Sequence, residues 1–494
     1  MNDGSYDAIV VGAGFGGSSC AAILAHEGLR VLLVDKNTRA GGKAMTVSKA
    51  GFTYELWPVI HAPAEGGVCE ALLERLGIGD KVEILKPVRQ GATYINDRGE
   101  YKRFPHDRTP DPAKIFDLLE IAEGQRPEAM RLLGELTMMA EDESAKLGDR
   151  SFAQWLSGYR VPRPLYSFLA GISNGVFMVP TDLLAASEAI RTIQAMFLRG
   201  GGLYCKGGIG RLAEAYTQAV RDKGGTVMLG SRVDRILVDD NGACGIETGD
   251  GVFNAPVVVS NAGLQPTVLK LVGERHFEAA YVDYVRELEP SWGMMGIRYF
   301  LDTVVLDEPY YMIFSDRGYW DLDRWRRAEK GELPPEVILW IEVPANFDPD
   351  CAPAGKQAVL TGVWCSPDPR AEAAQQRAWW DKIDEMMERL WPGFAGHVES
   401  AEHYGAREVS LLTRDQSVDG SGGECIGLGQ IVGQTGVDKP AASAPLAGLF
   451  FVGTDAGGWG CGTHQAVVSG VNVASMVLGY REENGVGRYP QRHR

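Results

Sequence analysis

No two of the eight cysteines form a CxxC pair; they stand apart at 20, 69, 205, 244, 351, 365, 425 and 461. That scatter gives no zinc pattern and no disulfide framework, so a reduced, cytoplasmic protein without a metal site is expected. No apolar run reaches bilayer-spanning length. No basic leader precedes the first apolar stretch at Tyr6, so a signal peptide is not expected either. Lysine and arginine number 49 against 65 acids, and the net charge of −16 comes without a basic cluster. Phosphate backbones require such clusters, which excludes nucleic acid as a partner. Spacing offers no Ser-His-Asp set, no paired carboxylates, no repeat and no acidic tail. What remains is ordinary for a globular chain of two or three domains: 494 residues, 45% hydrophobic and 23% charged.

Glycine is plentiful, at 62 residues, and its placement carries information. Tyr6 to Val11 reads as a buried strand, Gly12-Ala13-Gly14-Phe15-Gly16-Gly17 as the turn, and Ser18–His26 as the helix that follows. Val31–Val34 then forms a second strand ending at Asp35. In this context one glycine permits the tight turn, one lets backbone approach a pyrophosphate, and one lets helix and strand pack closely. The helix N-terminus faces the phosphates, and Asp35 is placed to accept from a ribose hydroxyl. Far along the chain, Leu449–Val452 is another apolar strand, running into Gly453-Thr454-Asp455. Gly457-Gly458-Trp459-Gly460-Cys461-Gly462-Thr463-His464 follows and opens a helix near Thr463–Ala466. NAD in a terminal domain needs no such late piece. A long cofactor threaded between both ends does, and flavin adenine dinucleotide is the candidate.

Between these ends the character changes twice. Residues 111–148 read as helical, with Leu118, Leu119, Ile121 and Ala122 on a buried face continued by Met130, Leu132, Leu133, Leu136, Met138 and Met139. Pro162 and Pro164 punctuate, and Ala185–Leu198 reads as a further helix. The whole is expected to cap a pocket. Strands are expected at Thr226–Leu229, Val233–Val238, Ala243–Glu247 and Gly251–Asn254, with Asp240-Asn241-Gly242 and Gly249-Asp250-Gly251 as turns. Val257–Ser260 re-enters an apolar strand that closes at Asn261. Gly296–Phe300, Tyr310–Phe314, Val337–Val343 and Gln357–Trp364 suggest an antiparallel sheet walling a substrate site, and Trp379–Leu390 a helix.

The residues now quoted, with four further stretches, resemble the phytoene desaturase and retinol saturase group of the amine oxidase superfamily. Those stretches are Asp35-Lys36 through Gly41-Gly42-Lys43-Ala44, Gly51 to Pro58, Gly207-Gly208-Ile209-Gly210 to Ala215, and Gly453–Asn472. Asn346 to Gly355 resembles a loop of the desaturase branch. The resemblance implies an α/β, Rossmann-like FAD-binding domain, a parallel sheet with an antiparallel insertion, interleaved with a mixed-sheet and helical substrate domain. It divides the chain into FAD-binding parts at 1–85, 201–270 and 421–494, a helical cap at 86–200, and substrate-domain sheet and helices at 271–420. Noncovalent FAD is implied, held by Gly12, Gly14, Phe15, Gly16, Gly17, Asp35, Lys36, Gly42, Lys43, Ala44, Pro58, Val59, Val233, Asn261, Gly453, Asp455, Gly462, Thr463 and His464. The implied activity is oxidation or reduction of a carbon–carbon bond in an apolar substrate.

Departures from the pattern concern the substrate. Trp57 stands where the family has glycine, which points to a compact isoprenoid or cyclic ketone or alkene, and Glu55 replaces the commoner aspartate. Candidate site residues are Trp57, Tyr204, Trp459, Cys461 and His464. Cys461 is either a thiol reactive toward flavin or a small residue in a crowded turn, and packing is preferred. His464 is either a proton donor or a helix-start residue, and the structural role is preferred. Tyr204 and Trp459 are read either as pocket walls or as residues with unrelated core roles. A flavin amine oxidase, a non-redox flavin isomerase or hydratase and a non-enzymatic flavoprotein scaffold remain as other readings. The 110–140 helices are open to peripheral membrane contact, although the acidic balance and lack of a basic amphipathic face oppose it.

Overall fold

The computed structural model describes residues 5–59, 66–86, 91–96, 98–104, 111–199, 203–370, 373–415 and 420–485. Its centre is a five-stranded sheet in the spatial order Leu449–Phe451, Val258–Ser260, Ala8–Val11, Val31–Asp35 and Thr226–Leu229. Every neighbour pair runs parallel. These short strands are continuous apolar runs because both faces are covered. On one face lie the helices Phe15–His26, Gly210–Asp222 and Gly462–Glu483. On the other, a three-stranded antiparallel sheet packs with Val233, Ile236, Ala243 and Ile246. The chain ends are fastened together. Arg481 of the last helix donates to Asp7 beside the first strand at 2.8 Å, both side chains being buried. Gly470 lies so close to the first helix that a Cβ there would stand 2.0 Å from Ser19 Oγ.

The second sheet has seven strands, in the order Val398–Tyr404, Gly293–Leu301, Gln357–Cys365, Leu339–Glu342, Tyr310–Ser315, Gly91–Ile95 and Tyr101–Arg103. The four strands expected from residues 290–365 pair antiparallel as anticipated, and the sheet as a whole is mixed because Gly91–Ile95 pairs in parallel with Tyr310–Ser315. Gly91–Ile95 falls in the stretch 86–200 expected to be helical, whose helices begin at Pro112. The helices Arg163–Phe177, Ala186–Arg199 and Ala373–Leu390 share a large apolar core with this sheet. The protein is thus α/β, with a Rossmann-like parallel sheet and a mixed second sheet.

Several boundaries differ from expectation. The first helix starts at Phe15, inside the glycine run, with Gly14 as its N-cap, and the last starts at Gly462. Residues 111–148 form separate helices, Pro112–Leu118, Arg126–Met138 and Glu141–Ala145. In the longest, Ala129, Leu132, Leu133 and Leu136 make the buried stripe at the helical spacing. Met130 and Met138 lie off that stripe and are exposed, as is Ala122. The predicted strand Val337–Val343 is shortened to Leu339–Glu342; at its C-terminal end Pro344 cannot extend a ladder. Among the described residues no helix is long and apolar enough to cross a membrane.

Candidate functional site

A cavity of about 850 Å³ runs from the carboxyl ends of the parallel strands to the second sheet. At one end three backbone segments converge because glycine lets them. A Cβ on Gly14 would lie 2.7 Å from Asn261 Oδ1, one on Gly16 3.0 Å from Gly453 Cα, and one on Gly42 3.2 Å from Gly14 Cα. Asn261 ties the strands across this junction, accepting from the Gly17 N–H at 3.1 Å and donating to Val452 O at 2.8 Å. The N-termini of the first and last helices both open here without an N-cap side-chain bond; Gly17 N–H is held by Asn261, and the remaining first-turn positions suit an anion or an oxygen.

Asp35 closes this end. Its carboxylate accepts from the N–H groups of Ala13 at 2.6 Å and Asn37 at 2.7 Å. Burial raises its pKa, and these two bonds oppose the rise. Lys36 is anchored to Asp415 at 2.7 Å.

Midway along the cavity lies a buried four-charge cluster. Arg414 bridges Glu424 and Asp455, reaching Asp455 at 2.7 Å and 2.8 Å. Asp455 also accepts from the N–H groups of Leu264 and Leu428. Burial opposes its ionisation, but the Arg414 charge and hydrogen bonds prevail and hold it well below the usual carboxylate range. Lys43 donates to the Glu424 carbonyl at 2.6 Å, and its ammonium lies 3.8 Å from the Glu424 carboxylate. Burial pushes Lys43 down to about 8, against the pull of Glu424. Two cations and two anions balance only while Lys43 is protonated.

The far end is aromatic and apolar. Trp57, Met178, Met294, Trp340 and Trp364 line it, with Gly175 and Val176. Gly175 is needed there because a Cβ would meet the Trp340 indole at 2.4 Å. Trp57 is buried, with its ring centroid 6.4 Å from that of Tyr404. Cys461 also lines the wall, its thiol 3.6 Å from Val176 O. Burial and then the Glu188 carboxylate push that thiol up to about 12, so it stays protonated at neutral pH and lacks thiolate reactivity.

Of the residues singled out from sequence, Gly12, Gly14, Phe15, Gly16, Asp35, Lys36, Gly42, Lys43, Ala44, Trp57, Pro58, Val59, Val233 and Asn261 line this one cavity. So do Gly453, Asp455, Trp459, Cys461, Gly462, Thr463 and His464. Gly17 does not. It faces the first strand, where a Cβ would stand 1.9 Å from Gly12 O. Tyr204 is not a pocket wall either. Its ring stacks on Phe347 with centroids 4.4 Å apart, and its hydroxyl donates to Glu55 at 3.2 Å.

Glu55 also accepts from Ile209 N–H at 2.8 Å and Thr46 Oγ1 at 3.1 Å. Behind it lies Glu342, which accepts from Val59 N–H at 2.7 Å. Burial raises both carboxyls, and Glu55 raises Glu342 further. Tyr204 therefore belongs to the buttress behind the Trp57–Val59 wall. Trp340 and Trp364 lie on two of the strands expected to wall a substrate site, although neither was singled out; Met178, Met294, Arg414, Glu424 and Arg191 were not anticipated. The two methionines sit in apolar runs that read as plain core, and the charges lie in irregular or cap segments with no motif.

Comparison with known proteins agrees with this geometry. The family described as flavin containing amine oxidoreductase matches residues 15–478. A 4,4′-diapolycopene oxygenase from Methylomonas sp is 23% identical, over 90% of this chain and 93% of its own length. The human all-trans-retinol 13,14-reductase is 24% identical, over 96% and 85%. In structure the chain is similar to an oxidoreductase from Methanosarcina mazei, with a TM-score of 0.72 at 18% identity, covering 95% of this chain and 100% of that one. The chain belongs to the flavin-containing amine oxidoreductase family and is an FAD-dependent oxidoreductase.

Proposed function

We propose that the enzyme desaturates or saturates a carbon–carbon bond in an apolar isoprenoid or cyclic substrate. The observation that carries this is the wall of Trp57, Met178, Met294, Trp340 and Trp364 on the cavity that also holds the glycine cradle. FAD fits the cavity: a glycine-walled helix N-terminus suits a pyrophosphate, Asp35 a ribose, and the N-terminus of Gly462–Glu483 the polar edge of a flavin ring. When bound, the flavin supplies hydride acceptance or donation. The protein's own contribution is to exclude water with the tryptophan wall and to favour negative charge at the last helix's N-terminus. The relatives named for diapolycopene and retinol support a polyene-like substrate. An amine substrate finds less here, because the buried Glu188 of the cavity wall already accepts from Thr435 Oγ1 and Gly460 N–H.

Anaerobic absorbance titration of the holoenzyme tests this. Saturated isoprenoids or cyclic ketones are expected to bleach the flavin, or the corresponding alkenes to reoxidise the reduced enzyme. Bleaching by amines alone, with hydrogen peroxide released in air, sinks the proposal.

Lys43 gives the cavity a pH dependence. An anion in the cavity favours the charged lysine, so it raises a pKa that stands at about 8 without one. FAD binding to the apoprotein is therefore expected to take up a proton above pH 8, and affinity to fall as pH rises through that value. Calorimetry in buffers of different ionisation enthalpy measures the uptake, and Lys43→Met should abolish it.

A further inference from the structure

We propose that Arg191 binds the carboxylate of an amphipathic substrate whose apolar body lies along the tryptophan wall. This rests on the reading that the substrate occupies the aromatic end of the cavity. The helix Ala186–Arg199 turns Glu188, Arg191, Thr192 and Ala195 toward the cavity, at the spacing that shares one helix face. The Arg191 guanidinium carbon lies 4.3 Å from the Trp459 ring centroid. Trp459 begins the turn that continues through Gly460 to Cys461, whose thiol contacts Val176, beside the glycine on which Trp340 rests. The cation and the tryptophan wall are thus two parts of one lining.

The arginine is only lightly committed. Nη2 donates to Glu141 Oε1 at 2.7 Å, and that glutamate side chain is 79% exposed, which makes the pair weak. Nε and Nη1 have no partner among the described residues. A planar guanidinium lying against an aromatic ring, with two unused donors on a cavity wall, matches a carboxylate. Glu188 one turn away does not compete for the guanidinium, because it is engaged with Thr435 and Gly460 and faces the charge of Lys439, which donates to Gly460 O at 2.9 Å. A neutral alcohol would leave the guanidinium unused.

The test titrates the oxidised holoenzyme with citronellic acid, citronellol and citronellyl phosphate, reading perturbation of the flavin absorbance. The acid is expected to bind at least tenfold more tightly than the alcohol, and no less tightly than the phosphate. Arg191→Gln should erase that preference while flavin content and the free-enzyme spectrum stay unchanged, and Arg191→Lys should keep part of it. Equal binding of acid and alcohol, no response to the acid, tighter binding of the phosphate, or a preference that survives Arg191→Gln each overturns the proposal. A holoprotein that carries no flavin would instead overturn the cofactor reading beneath it.

Discussion

Arg414→Met is expected to lower stability by about 3–5 kcal/mol and to yield protein nearly free of flavin. The cost does not come from losing two attractive contacts, because a buried ion pair gains little over a well-packed apolar one. It comes from what is left behind. Glu424 and Asp455 are both buried, and without the guanidinium they face each other with Lys43 as their remaining counter-charge. Asp455 also fixes the Leu264 and Leu428 backbone through its oxygens. Protonating it would remove the acceptor charge that holds these segments beside the cavity. Denaturant unfolding and the flavin-to-protein absorbance ratio measure the two effects. Adding Glu424→Gln and Asp455→Asn should recover a substantial part of the stability but not the flavin. If Arg414→Met alone keeps both, the cluster is not the keystone of this site.

The glycine-rich parts of the site were legible because their constraint is local. A Cβ at Gly14, Gly16 or Gly42 collides with backbone or with Asn261, and only glycine satisfies such close approach, so sequence shows the requirement directly. Asp35 was legible for the same reason, standing at a fixed distance from that turn. Trp340 and Trp364 were legible only as members of strands expected at a substrate wall, not as the residues that line it. They sit on strands buried over their whole length, and an apolar run looks the same whether its neighbour is another side chain or a cavity. Tyr204 failed in the opposite direction. Its position before a double glycine suggested a wall, yet the buried carboxyl of Glu55 needs its hydroxyl, and that partner lies 149 residues away.

The Arg414 cluster joins residues 43, 414, 424 and 455, whose pairing depends on how the chain ends fold onto each other. The strand Gly91–Ile95 shows the same limit for the fold. Its pairing partner lies more than 200 residues later, and its own sequence carries too little alternation to announce a strand.

Gly17→Ala is expected to cost about 3 kcal/mol or more and to abolish flavin retention, although Gly17 does not touch the cavity. The new Cβ would stand 1.9 Å from Gly12 O and 3.0 Å from Asn261 Cβ. Neither neighbour is the end of a flexible side chain, so relief requires the first helix to move off the first strand. That movement carries Gly14 and Gly16 with it, breaks the bond from Gly17 N–H to Asn261, and opens the junction with Gly453. The same substitution at Gly134 is the control. Gly134 lies within the helix Arg126–Met138 with nothing near its missing Cβ, so alanine there should gain up to about 1 kcal/mol from helix propensity. Opposite signs for one chemical change, read by thermal unfolding and flavin content, separate the demand for close approach from the general cost of glycine. If Gly17→Ala holds flavin like the parent protein, the helix and strand do not need that contact, and the two glycine-rich ends are not joined as described.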